Sequence, residues 1–183
     1  RSLWGNQPHK DILNRILHRP KRNTLSGSRK NISAHYDLGN DFFRTFLDKS
    51  LLYSCGIYKH KSDTLLKVQM NKVHKIIEQA RINSDDHVLE IGSGWGGFAL
   101  EAVKKTGCRV TTITLSQKQH DYVKALIKRE KLEKKITVLL KDYRYMDGRF
   151  DKIVSIEMLE AVGHENFGSY FAALEKLLKP RGI

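Results

Sequence analysis

The chain has 183 residues, of which 40% are hydrophobic and 29% charged, with only 3 prolines; this is the composition of an ordinary soluble globular domain with a sizeable core. It holds no apolar run long enough to span a bilayer and no signal-peptide pattern, and its 2 cysteines, Cys55 and Cys108, make neither a disulfide framework nor a C-x-x-C pair, so a reduced, cytoplasmic setting is the default. The 33 Lys and Arg against 20 Asp and Glu give a net charge of +13, which points to an anionic partner, either nucleic acid or an acidic membrane surface, with a merely solvated basic surface as the plain alternative.

In chain order, residues 1–30 form a basic segment and linker, carrying eight of the Lys and Arg residues against the single acid Asp11. Asp11 to Arg19 has Ile12, Leu13, Ile16 and Leu17 at helical spacing among Lys10, Arg15 and Arg19, the pattern of a basic amphipathic helix. Residues 31–183 read as one α/β domain. Asn40 or Asp41 can cap a helix carrying Phe42, Phe43, Phe46 and Leu47, and an irregular stretch from Leu51 to Tyr58 follows. Thr64 to Ile82 reads as a helix. From His87 onward strands are predicted at 87–91, 109–114, 136–140 and 152–156, and helices at 97–106, from Ser116 to about Lys131, and at 166–178. This alternation predicts a parallel sheet wrapped on both faces by helices. A fifth strand is expected to begin after Lys179-Pro180, so the sheet is expected to lack its C-terminal strands in this chain.

The first strand runs into Glu90-Ile91-Gly92-Ser93-Gly94-Trp95-Gly96-Gly97. Glycines at alternate positions let a ligand approach the main chain, and the helix that follows aims unpaired N–H groups over the turn. The spacing is neither the dinucleotide fingerprint nor the phosphate loop. Glu90, two residues before the first glycine, suits a ligand ammonium better than a pyrophosphate, so S-adenosylmethionine fits the turn. A tight strand–helix turn without a ligand is the bland alternative. Ligands of open parallel sheets bind beyond the strand ends. There Thr114, Leu115 and Gln119 follow the second strand, with Thr114 and Gln119 able to bond ribose hydroxyls. Asp142 and Tyr143 follow the third and can meet an adenine amine and its ring. Glu157 and Glu160 follow the fourth. Each also has a plain reading: Ser116 as a helix cap, Asp142 as a turn residue, Glu157 as a solvated acid.

Taken together, H-Y-D-x-G-N-D-F-F from His35, Y-S-C at Tyr53, Ser54 and Cys55, L-E-I-G-S-G-W-G-G, T-L-S-x-x-Q from Thr114, K-D-Y-R, and the stretch around Glu160-Ala161-Val162-Gly163 resemble the cyclopropane-fatty-acid synthase family, which includes the mycolic acid cyclopropane synthases. The resemblance runs from about Asn31 to the last residue. It implies a Rossmann-like methyltransferase sheet and transfer of a methyl group from S-adenosylmethionine to a cis double bond of an unsaturated phospholipid acyl chain, with proton loss closing a cyclopropane. It implies that Tyr53 and Ser54 touch the methionine part, that Gly92, Ser93 and Gly94 lie beneath it with Glu90, Ile91, Trp95 and Gly96 in the same cofactor-binding stretch, that Thr114, Leu115 and Gln119 serve the ribose, and that Asp142 and Tyr143 flank the adenine. A bicarbonate, taken as the proton acceptor, would sit near the Cys55 backbone and the Glu160 carboxylate. Cys55 itself has no adjacent base and is not read as a nucleophile. Tyr36, Phe42, Phe43, Tyr53 and Tyr58 are candidate walls for a passing cation, or plain core. Where the family often has Phe-Glu-His, this chain has Leu159-Glu160-Ala161, and the family's further bicarbonate ligands, a histidine and a tyrosine, fall beyond Ile183. The basic N-terminus suits an anionic membrane surface, giving a cytoplasmic, peripherally membrane-associated enzyme, with a homodimer as a possible assembly. The alternatives are another methyltransferase on the same scaffold, acting on a lipid without ring closure or on a small amine, and a nucleic-acid-binding protein, against which no nucleic-acid motif appears.

Overall fold

A computed structural model of the protein describes residues 43–183. The basic segment 1–30, its helix, and the Tyr36 and Phe42 walls lie outside the described residues. Four strands, β1 (His87–Ile91), β2 (Arg109–Thr114), β3 (Ile136–Leu140) and β4 (Lys152–Ser155), form a parallel sheet in the order β3-β2-β1-β4. The chain steps outward from β1 to β3, then returns to the far side of β1. The order therefore reverses between β1 and β4, where Ile91 pairs with Ser155, and an opening forms beyond their carboxyl ends.

Period-two alternation sends the strand residues to two cores. Val88, Val110, Ile136 and Val154 pack with residues of helices α1 (Leu65–Gln79), α2 (Gly97–Thr106) and α3 (Gln117–Arg129). Leu89, Ile91 and Ile113 pack on the other face with Met146, Phe150 and Leu177, the last from helix α4 (Phe167–Leu177). The caps are local. The Thr64 side chain accepts from the Lys67 N–H, and that of Ser116 accepts from the Gln119 N–H, so Ser116 is the expected cap.

The four strands and the four helices from Leu65 onward lie where the sequence places them, with ends that differ by up to three residues. α1 stops at Gln79 rather than Ile82, and Arg81 just beyond it takes φ 51°. β4 stops at Ser155, and Glu157 two residues on takes φ 48°, turning the chain across the strand end. After α4 the chain turns back along β4: Ile183 donates to the Asp151 carbonyl at 3.2 Å and accepts from Ile153 N–H at 2.7 Å, the bonding of an incipient parallel neighbour.

Candidate functional site

The floor of the opening is the turn after β1. Gly92 and Ser93 both donate to the Ile113 carbonyl, at 3.0 and 2.9 Å, which folds the turn back over β2. Gly94 has φ 48°, and a β-carbon there would lie 3.3 Å from Cε1 of Tyr53, so the missing side chain is what lets the two segments approach. Gly96 serves packing instead, since a β-carbon would press on Leu126 of α3 at 3.1 Å. The Trp95 indole is 2% exposed and stacks among Phe43 and Tyr122, with ring centroids at 5.6 and 5.4 Å. Its ring is buried, and its Nε1 has no hydrogen-bond partner among the described residues.

Beneath the turn, Glu90 is 3% exposed and stands opposite Thr112 in the β1–β2 register. Burial pushes its carboxyl up to about 8, against the opposing pull of the Thr112 hydroxyl. Its Oε2 has no hydrogen-bond partner among the described residues. At the end of β2, the Thr114 hydroxyl donates to Gln119 Oε1 at 2.8 Å, leaving the buried Gln119 Nε2 without an acceptor among the described residues. Leu115 lies half-buried between them. A buried acceptor just before the glycine turn and a buried donor beyond the end of β2 are thus each unpartnered, and such groups mark a place for a polar ligand.

After β3, the Asp142 carboxylate caps its own turn by accepting from Arg144 N–H at 2.9 Å, and the Arg144 guanidinium grips the same carboxylate. The turn reading of Asp142 therefore holds. Tyr143 meets Tyr170 edge-on at 5.1 Å and lies 5.7 Å from the Arg144 guanidinium carbon; burial raises its phenol.

The roof is the irregular segment carrying Tyr53, Ser54 and Cys55, and helix α1 holds it with polar side chains. Gln69 Nε2 donates to the Ser54 carbonyl at 2.8 Å, and Asn71 Nδ2 donates to the Ile57 carbonyl at 3.0 Å. Lys72, 5% exposed, donates to the Ser54 hydroxyl and to Gln69 Oε1. Burial lowers its ammonium pKa, and the nearby Glu157 carboxylate opposes that shift. The sequence offers no warning of this clamp, because Gln69, Asn71 and Lys72 look like the polar positions of an amphipathic helix. The fourth-strand end joins the roof as well: Glu157 Oε1 accepts the Cys55 N–H at 2.7 Å. Glu157, a strand-end candidate in the sequence with a solvated acid as its plain reading, thus bonds the roof segment. Glu160 lies exposed in a single 3-10 turn, Leu159–Ala161, and no hydrogen bond links it to Cys55. The Cys55 thiol is free and exposed. The Cys55 N–H that the resemblance assigns to a bicarbonate is taken by Glu157 in this arrangement.

Among the described residues no group of His, Cys, Asp and Glu could hold a metal ion, and no helix is long and apolar enough to cross a membrane.

Residues 23–183 match the mycolic acid cyclopropane synthetase family. The chain is 36% identical over 162 residues to the tuberculostearic acid methyltransferase UfaA1 of Mycobacterium tuberculosis, covering 85% of this chain and 38% of that protein. It is 40% identical over 149 residues to the cyclopropane-fatty-acyl-phospholipid synthase of Escherichia coli K12, covering 81% and 38%. The crystal structure of the mycolic acid cyclopropane synthase CmaA1 complexed with SAH and CTAB superposes with a TM-score of 0.79 at 34% identity, over 82% of this chain and 53% of that one. The chain thus spans about half the length of these relatives or less. With a family match over residues 23–183 and identities of 36% and 40% to these relatives, the chain belongs to the mycolic acid cyclopropane synthetase family.

Proposed function

We propose that the opening binds S-adenosylmethionine and that the protein transfers its methyl group to the cis double bond of an unsaturated phospholipid acyl chain, closing a cyclopropane. The observation that carries the cofactor reading is the pair of unpartnered buried atoms at neighbouring strand ends, Glu90 Oε2 before the glycine turn and Gln119 Nε2 beyond β2. A ligand with an ammonium at one end and ribose hydroxyls further along satisfies both. Tyr53 and Ser54 close over the methionine part. Thr114 and Gln119 take the ribose, Leu115 lies beside it, and Asp142 and Tyr143 edge the adenine, with Asp142 keeping a lone pair beyond its bonds to Arg144. Gly92, Ser93 and Gly94 form the bed, with Ile91 and Gly96 setting its ends.

The bound sulfonium supplies a methyl group already activated for transfer. The protein's part is to align that carbon with the alkene and to keep water from trapping the resulting cation. The family and the names of the relatives support a lipid acyl substrate. The name of one relative, a tuberculostearic acid methyltransferase, supports a second reading in which the chain is methylated without ring closure. The basic residues 1–30 favour attraction to an anionic membrane surface, which makes the enzyme a peripheral one.

Calorimetric titration with S-adenosylhomocysteine tests the cofactor site. The protein is expected to bind saturably, and Gly94→Asp, which places a side chain against Tyr53, is expected to lose binding. Equal binding by both proteins refutes the placement of the ligand over Gly94.

A further inference from the structure

Glu157 combines three features that its neighbours lack. Its backbone takes φ 48°, a conformation that a β-carbon disfavours, two residues beyond the β4 residue that pairs with the end of β1. That turn carries its carboxylate to the Cys55 N–H, a contact between residues 102 apart in sequence. The side chain is also exposed at the opening, while the buried Lys72 ammonium stands behind the same segment through Ser54. The other charges near are Asp48, which also acts on Lys72, and Glu160 three residues on. An anion is therefore built into the site, fixed by a backbone donor and backed by a cation.

We propose that the Glu157 carboxylate is the resident anion on the Cys55 N–H and that it accepts the proton lost from the alkylated acyl chain, so that no bicarbonate is required. The proposal rests on the methyl-transfer reading above. In the step, the alkene π pair forms a bond to the transferred carbon as the carbon–sulfur pair leaves on sulfur. The cation so formed on the acyl chain gives up a proton to a Glu157 oxygen. If the proton comes from the new methyl carbon, the freed C–H pair closes the ring; if it comes from an adjacent chain carbon, the pair forms a double bond and leaves a branch. The Glu157 acid then returns its proton to solvent. Its placement relative to the acyl chain selects ring or branch.

The test compares the protein with Glu157→Gly and Glu157→Gln. Glycine accepts φ 48° readily, so the first variant is expected to fold. With each protein saturated by S-adenosylhomocysteine, carbon-13 NMR follows titration of labelled bicarbonate. The parent is expected to show no binding and Glu157→Gly saturable binding, as the vacated N–H accepts the smaller anion. In parallel, methyl incorporation from S-adenosylmethionine is measured on vesicles of cis-unsaturated phosphatidylglycerol. Carbon dioxide depletion is expected to leave the parent rate unchanged. Glu157→Gln is expected to lower the rate about 10²-fold, the usual worth of a positioned base, while its S-adenosylhomocysteine affinity holds. Added formate or bicarbonate is expected to revive Glu157→Gly in part. Bicarbonate binding to the parent, or a parent rate that falls on depletion, overturns the proposal, as does full activity in Glu157→Gln. Absence of S-adenosylhomocysteine binding, or of methyl incorporation by the parent, instead overturns the methyl-transfer reading, and the proton-accepting role falls with it. The bicarbonate titration still decides which anion occupies the Cys55 N–H.

Discussion

The turn at Gly92–Gly96 and the segment at Tyr53–Cys55 meet across one opening, yet they are held by unlike means. The turn is local: a strand end, three glycines with positive φ and two bonds to the Ile113 carbonyl define it. The roof segment has no regular structure and borrows its shape from Gln69, Asn71 and Lys72 of α1 and from Glu157 beyond β4. A floor made by backbone geometry is rigid before any ligand arrives. A roof made by a few side-chain bonds can yield, and such segments open at lower free energy than the core.

The largest expected effect belongs to the floor and is a pH dependence. The folded chain holds the Glu90 proton up to about pH 8, whereas the unfolded chain releases it near 4.5. The stabilisation this gives is complete below pH 4.5 and is lost as pH rises through 8, a change on the order of 5 kcal/mol. Urea unfolding of the ligand-free protein across that range is expected to show the decline, and Glu90→Gln is expected to flatten it. A ligand ammonium beside Glu90 favours its charged form, so S-adenosylhomocysteine binding at pH 7 is expected to release a proton. Calorimetry in buffers of different ionisation enthalpy measures that release; a proton count of zero breaks the assignment of Glu90 to the ammonium.

The second prediction joins the two regions. Gly97 opens α2, and a β-carbon there would lie 2.8 Å from Leu52 Cγ and 2.9 Å from the Ser50 carbonyl oxygen. Gly97→Val is therefore expected to cost about 2 kcal/mol through overpacking and to push the roof off the turn, weakening S-adenosylhomocysteine binding as well. Gly168 in α4 has open space around its α-carbon, so Gly168→Ala is the control, expected to raise stability by about 0.5 kcal/mol without touching binding. Equal losses from both substitutions would mean that glycine content, and not the approach of the roof to α2, sets the effect.

This contrast explains what was legible in the sequence. The floor was readable because its determinants are neighbours in the chain: the apolar run Val88-Leu89, the glycines after it, and Ser116 capping α3. The strand-end residues Thr114 and Gln119 followed from topology, since a parallel sheet brings its strand ends together. The roof was readable only as an irregular stretch; its Tyr-Ser-Cys identity came through family resemblance. What holds it was hidden, because a buried lysine on an amphipathic helix has the same sequence signature as a solvated one. Glu157 was legible as a strand-end acid, but its role in holding the roof was not: nothing local announces φ 48° at a glutamate, and its partner lies 102 residues away. Trp95 lies in the glycine turn as the sequence places it, and its ring packs against Phe43 and Tyr122.

The smallest effect on global stability, and the sharpest test of the contrast, comes from Lys72→Met. The ammonium is buried, and burial of a charge is unfavourable even where hydrogen bonds offset it; an apolar side chain of similar length removes both the cost and the bonds. The two changes nearly cancel, so the unfolding free energy is expected to move by no more than about 1 kcal/mol. The roof loses the bond to the Ser54 hydroxyl, however, and the charge behind Glu157 disappears with it. Amide exchange is expected to quicken at Cys55 and Ile57, whose N–H groups bond Glu157 and the Val68 carbonyl, while the amides of Gly92 and Ser93 stay as slow as before. If exchange quickens equally in the turn, floor and roof form one cooperative unit. If it quickens in neither, Gln69 and Asn71 alone suffice to hold the segment, and Lys72 acts through its charge on Glu157 rather than as a clamp.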